Sequence, residues 1–231
     1  MAKILLLDTS SNHCTVVLDN DGQLSSLIET QARAHAQKVL SQVQRICLEA
    51  ELTLKDLDAV AVVAGPGSFT GLRIGVGVVQ GIAEASSKPV IIVSNLAALA
   101  QTACERHRLP GQLVATMARD GEIYFAVYTA DANGIVMLQA AEQVALPDAL
   151  HIPRLGLPPD QWVGVGDGWE YRDALITTLG ITPKIIDPGS DLEPAAICRL
   201  AQSMYANGEL VSAEQALPHY IKENMHYRQA H

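Results

Sequence analysis

Apolar and polar positions along this chain follow two rhythms, one of strands and one of helices. Residues 3–7 (KILLL) and 14–18 (CTVVL) are short apolar runs. Asp8-Thr9-Ser10-Ser11-Asn12 separates them and the turn Asn20-Asp21-Gly22 follows, so they predict two strands, with a third over 23–29. In HAQKVLSQVQRICLEA the period becomes helical: Ala36, Val39, Leu40, Val43, Ile46, Cys47 and Ala50 form one stripe, and Lys38, Gln42 and Arg45 lie off it. Residues 58–64 (DAVAVVA) are apolar on both alternating faces, as a central parallel strand covered on both sides requires. A glycine-rich turn leads from it into a helix over 71–85, which Lys88-Pro89 stops. A strand over 90–93 follows, and Ser94 or Asn95 caps a helix with Leu96, Leu99, Ala100 and Ala103 on its inner face. The first hundred residues therefore read βββ-α-β-α-β-α.

Near Arg108-Leu109-Pro110-Gly111 the pattern changes, which places a first lobe over 1–108 and a second, smaller one over 109–231. Strands are predicted over 112–117, 122–129 and 135–138, joined through Asp120-Gly121 and Asn133-Gly134. Residues 147–159 hold four of the eleven prolines and read as loop. WVGVGDGW is a strand and glycine turn before a short helix around 171–179. Glu193-Pro194 opens a last helix in which Ile197, Leu200, Ala201 and Met204 face inward and Asn207-Gly208 form the stop. That helix is expected to complete the first lobe.

Composition narrows the function classes. With 231 residues and 48% hydrophobic positions, the chain can bury one large core or two small ones. It has no secretory leader pattern and no apolar run of about 20 residues, so a soluble, cytoplasmic protein without membrane contact is expected. A net charge of -9 gives no broad basic footprint for holding RNA unaided. Cys14, Cys47, Cys104 and Cys198 are far apart and read as reduced core thiols. The histidines form neither a His-x-x-x-His nor a His-Glu-x-x-His pair, so no metal is expected and a metalloprotease has no basis.

Candidate chemistry centres on VVAGPGSFTGLRIGVG, residues 62–77. Amides at a helix start attract phosphate, and glycine admits close approach. Against a cradle, Gly65-Pro66-Gly67-Ser68-Phe69-Thr70-Gly71 lacks a Gly-Lys-Ser/Thr ending, its glycine spacing is not the dinucleotide fingerprint, and Pro66 removes a donor. The rival reading is packing. Gly71, Gly75, Gly77 and Gly81 each forgo about 1 kcal/mol of helix propensity. They form two pairs at a spacing of four on different helix faces, each a groove for another backbone, within the chain or from another subunit.

The same residues carry a resemblance. GPGSFTGLRIG after an apolar strand, LLLDTSSNHCTVVL at the start, ARAHAQKVL in the first helix, ARDGEIYFAVY in the second lobe and LPHYIKEN near the end are similar to the bacterial TsaB, or YeaZ, family over most of the chain. The resemblance implies the two-lobed α/β fold of actin, Hsp70 and hexokinase (RNase H-like), with a βββαβα-type first lobe. It implies a non-catalytic partner required by the TsaD transferase in forming threonylcarbamoyladenosine beside the anticodon of tRNAs reading codons that start with A. A TsaE ATPase joins them, tRNA is reached only through the complex, ATP is used by the complex rather than held tightly by this chain, and the chain alone forms a homodimer.

The expected partner interface is His35, Ala36, Val39, Val43 and Ile46 on the first helix with Phe69, Thr70, Ile74, Gly75 and Val78 on the glycine-rich one. On that reading Gly75→Leu weakens TsaD binding without unfolding the chain. In TsaD a His-x-x-x-His pair holds a metal; here Val39 stands four residues after His35. Nucleotide-binding relatives use a glycine turn after the first strand, whereas Asp8 and Thr9 here begin a turn without glycine, so Asp8, Thr9 and Gly166 mark a vestigial nucleotide site. The alternative is an ATP-binding, kinase-like enzyme acting alone, with Asp8 near phosphate and Gly166 near adenosine. Arg119 and Glu122 either pair with each other around Asp120-Gly121, the favoured reading, or present a charge to a partner or to RNA.

Overall fold

The computed structural model describes residues 1–11, 13–30 and 35–221, with the side chains of 35–37 excepted. The first lobe opens with an antiparallel meander, β1 (Ile4–Asp8), β2 (Cys14–Asn20) and β3 (Gln23–Glu29). Helix α1 (His35–Glu49) leads to β4 (Ala59–Gly65), α2 (Phe69–Ser86) to β5 (Val90–Ser94), and both strands run parallel to β1, in the order β3-β2-β1-β4-β5. Ser94 caps α3 (Asn95–His107) by accepting from the amides of Leu96 and Ala97.

The second sheet repeats that plan. Strands β6 (Gly111–Met117), β7 (Ile123–Ala130) and β8 (Val136–Leu138) form an antiparallel meander, with β9 (Gln143–Ala145) also paired to β7. Strand β10 (Trp162–Val165) runs parallel to β6, and after α4 (Arg172–Leu179) β11 (Ile185–Asp187) pairs parallel to β10. The order is β11-β10-β6-β7-β8. Two copies of one topology in one chain are the duplicated arrangement that the actin-like resemblance implies. The proline-rich stretch after β9 has no α1 counterpart, because Pro153, Pro158 and Pro159 remove helix donors.

Three apolar layers hold the sheets. On one side of the first sheet, Leu5, Leu7, Val16 and Leu18 meet Val39, Val43 and Ile46 of α1 and Val76, Val79 and Ile82 of α2. On one side of the second, Leu113, Phe125 and Trp162 meet Trp169, Leu175 and Leu179. Between the sheets, the third layer joins Leu6, Val17 and Ile91 to Val114, Ala126 and Val163 through α3 and α5 (Pro194–Ala206). Helix α5 docks on the first sheet: Gln202 donates to the carbonyl of Ala2 (2.6 Å) and the Asp19 carboxylate (2.9 Å), and accepts from the Ala2 amide (3.0 Å).

Two sequence expectations are corrected. Leu40, expected on the inner stripe of α1, is 51% exposed, since Val39, Val43 and Ile46 fill the space over the sheet. The strands β9 and β11, three residues each, escaped prediction because so short a run carries no period. Leu7 has no exposed surface, so Leu7→Ala is expected to cost about 2–5 kcal/mol in a urea titration, whereas Leu48→Ala, on a side chain 78% exposed, changes stability by about 0.5 kcal/mol or less.

Candidate functional site

The glycine turn is seated on the first hairpin. The Ser68 amide donates to the Ser10 carbonyl (2.9 Å), and Ser68 Oγ accepts from the Gly71 amide (3.3 Å), so two amides of the supposed cradle are engaged within the chain. Thr9 Oγ1 donates to the Gly71 carbonyl (2.7 Å). A Cβ on Gly71 would collide with the Thr9 carbonyl, and one on Gly75 would lie 2.5 Å from Thr9 Oγ1. The pair 71/75 therefore serves packing inside the chain, and the expectation that Gly75→Leu spares the fold is corrected: its side chain has no space.

The pair 77/81 faces the other way. A Cβ at either position meets nothing within 4 Å, and both glycines are exposed. Thr70 is exposed beside them and Ile74 and Val78 are half-buried, giving an outward stripe of small and apolar residues. At its N-terminal end Phe69 is 51% exposed, with the Arg73 guanidinium 3.7 Å from its ring centre. Arg73 Nε also donates to the Tyr220 hydroxyl (3.3 Å).

On α1 the expected contact residues are corrected. Val39, Val43 and Ile46 are 0%, 3% and 1% exposed and pack on the chain's own sheet, so they support the helix from beneath rather than meet a partner. Its solvent side presents Leu40 and Leu48 instead. His35 and Ala36 stand in the first turn of α1, and their side chains lie outside the described residues.

The residues expected to mark a vestigial nucleotide site make contacts within the chain. Asp8 Oδ1 accepts from the Ser10 amide (2.8 Å) and hydroxyl (2.6 Å), which braces the first turn. Asn95 ties that turn to the glycine turn, donating to Ser10 Oγ (2.6 Å) and accepting from the Gly65 amide (2.9 Å). Gly166, at φ 102°, lies against the Ala115 carbonyl, and Gly164 against the Trp169 ring. Trp169 is buried, with its indole donating to the Leu113 carbonyl (2.9 Å). Around the 118–122 turn the backbone carries the contact, Glu122 N to Arg119 O at 2.9 Å, and no ion pair among the described residues joins the two side chains.

One polar cluster was not foreseen. Glu142, in the segment between β8 and β9, has a side chain 7% exposed and accepts from the Ser94 hydroxyl, the Tyr128 hydroxyl (2.6 Å) and His219 Nε2 (2.9 Å). Burial works to raise its pKa, but the hydrogen bonds from His219, Ser94 and Tyr128 outweigh it and hold the carboxyl below its ordinary range. The Glu142 hydrogen bond raises the His219 pKa against burial. No motif surrounds Glu142, and His219 stands out in the sequence only as part of LPHYIKEN; the cluster forms from four distant segments.

All four cysteines are buried free thiols, and burial pushes Cys14 up to about 11 and Cys198 up to about 12. Among the described residues no group of three or more His, Cys, Asp or Glu could hold a metal, and no helix is long and apolar enough to cross a membrane.

The opposite environments of the two glycine pairs give opposite expectations. Gly71→Ala is expected to lose about 1–3 kcal/mol through overpacking on Thr9, while Gly81→Ala is expected to gain about 1 kcal/mol of helix propensity, both read by chemical denaturation.

The family model for TsaD, tRNA N6-adenosine threonylcarbamoyltransferase, matches residues 24–185. The chain is 37% identical over 228 residues to the tRNA threonylcarbamoyladenosine biosynthesis protein TsaB of Escherichia coli, covering 98% of this chain and 97% of that one. It is 33% identical to the TsaB of Haemophilus influenzae, over 97% and 95% of the two chains. A solved structure of YeaZ from Pseudomonas aeruginosa superposes with a TM-score of 0.83 at 38% identity, over 95% of this chain and all of that one. Another, described as an uncharacterised protein similar to peptidase YeaZ from Pseudomonas aeruginosa, reaches 0.86 at 37% identity over 96% and 100%. The chain therefore belongs to the TsaB (YeaZ) family of tRNA threonylcarbamoyladenosine biosynthesis proteins.

Proposed function

We propose that this chain is a non-catalytic partner of a TsaD-like transferase, required for forming threonylcarbamoyladenosine beside the anticodon of tRNAs that read codons starting with A. The outer face of α2, with Leu40 and Leu48 of α1, receives the equivalent helices of the transferase. Two copies of the chain pair through the same face when the transferase is absent. A TsaE-like ATPase joins the pair, the complex rather than this chain uses ATP, and tRNA is reached only through the complex.

The observation that carries the interface is the emptiness around Gly77 and Gly81. Each costs about 1 kcal/mol of helix stability relative to alanine and returns no contact inside the chain. A helix axis approaching from outside, at the 8–10 Å spacing that small residues favour, offsets that loss. Membership of the family supports the pathway, and one detail supports the non-catalytic part: Asp8 is engaged in bracing its own turn and Thr9 in holding the Gly71 carbonyl of α2.

Gly77→Leu and Gly81→Leu add volume to the outer face without touching the core. Their expected effect is a loss of about tenfold or more in affinity for the TsaD-like protein by calorimetry, with thermal stability unchanged or raised. Wild-type affinity in both variants would remove this face from the interface.

A further inference from the structure

After α5 the chain returns to the first lobe. Val211 makes a single antiparallel bridge to Val90 at the start of β5, and residues 216–221 then run across the boundary between the lobes. That short run is fastened at four points. The Ala216 carbonyl accepts from Gln80 of α2 (2.9 Å), and the His219 amide donates to the Ala64 carbonyl at the end of β4 (2.8 Å). The Tyr220 hydroxyl accepts from Arg73, and its ring lies 6.3 Å from that of Phe69. All three points belong to the first lobe. The fourth is the His219 imidazole, which reaches Glu142 in the second lobe, and Glu142 in turn holds Tyr128 of β7 and Ser94 at the end of β5.

The same run divides the space between the lobes. A cavity of about 700 Å³, walled by Ile92, Val136, Leu200 and Met204, lies on one side. Another of about 800 Å³, lined by the glycine turn, Arg73, Arg119 and Tyr124, lies on the other. His219, Tyr220 and Ile221 line both. Detaching them would join two cavities into one cleft.

We propose that residues 217–221, which follow the buried Ala216, are a releasable strap, and that the His219–Glu142 contact is the latch that ties it to the second lobe. The strap is poised for release because, among the described residues, one hydrogen bond joins it to the second lobe beside the packing of Ile221 on the layer between the sheets, and because the His219 side chain is 46% exposed. Glu142, by contrast, stays put when the latch opens, since Ser94 and Tyr128 still satisfy it.

The latch depends on charge. The groups that face it are Glu142 and Tyr128 from the second lobe, Glu209 in the first cavity, and Arg73, Arg119 and Tyr124 in the second. Of these, Glu142 is the group whose hydrogen bond and charge favour the protonated His219. The raised pKa of His219 means that its contribution is complete below the ordinary histidine range and fades as pH rises through the raised value. The lowered pKa of Glu142 means that its contribution is complete above the ordinary carboxylate range and fades as pH falls through the lowered value. The strap is therefore tightest in mildly acid to neutral solution and loosens on the alkaline side.

Amide hydrogen exchange of the full chain tests this, with rates divided by the intrinsic rate at each pH. In the wild type, protection of the His219 amide is expected to fall about tenfold between mildly acid and alkaline solution, the loss of a charge-assisted bond. In Glu142→Gln and in His219→Ala the protection is expected to be low at every pH, while amides of β4 and α2 stay protected. The His219 imidazole, followed by NMR, titrates above the ordinary histidine range in the wild type and within it in Glu142→Gln. Wild-type protection of residue 219 in His219→Ala, a change at a half-exposed side chain that leaves the core intact, would overturn the latch. So would protection in the wild type that does not vary with pH.

Discussion

The close seat of α2 on the first hairpin is the contact from which the rest of the first lobe follows. Two glycines one turn apart bring the helix axis onto the Thr9 backbone nearer than any side chain allows, and the Thr9 hydroxyl bonds into that helix. The seat fixes where β4 ends, how Ser68 caps the helix, and how Asn95 joins two turns. The same corner engages two amides of the glycine turn within the chain.

One helix thus meets two demands on opposite sides. Its inner glycines are matched by backbone already present, and its outer glycines are matched by nothing in the chain. A sequence under pressure only for stability would carry alanine at 77 and 81, since alanine fits an exposed helical site and favours the helix by about 1 kcal/mol. The outer side of α2 carries the half-buried Ile74 and Val78, and α1 exposes Leu40 and Leu48 among charged residues such as Arg45 and Glu49, so large apolar side chains stand in solvent on both helices of the first lobe.

Much of the fold was legible in the sequence where the period was long or the punctuation strong. The α1 stripe, the fully apolar β4 and the proline-opened α5 each carry a pattern that only one element satisfies. The strands β9 and β11 do not, because three residues in a sheet are specified by their neighbours across the ladder. The candidate face was half legible. The spacing of the glycines announced two grooves, but which groove was already filled depends on Thr9, more than sixty residues away. Val39, Val43 and Ile46 were assigned outward for a related reason: an amphipathic stripe states that one side is buried without stating whether sheet or partner buries it. The Glu142 cluster draws on β5, β7, a loop and the strap, and no local pattern announces such a meeting.

A chain that braces its own loops and offers an apolar helix face is suited to assist chemistry carried out by another protein. The most direct measurement is threonylcarbamoyl transfer to unmodified tRNA in a mixture of purified threonylcarbamoyl-AMP synthase, TsaD-like and TsaE-like proteins, threonine, bicarbonate and ATP, with and without this chain. The account predicts that modified adenosine forms only when the chain is present. Equal modification in its absence would contradict it.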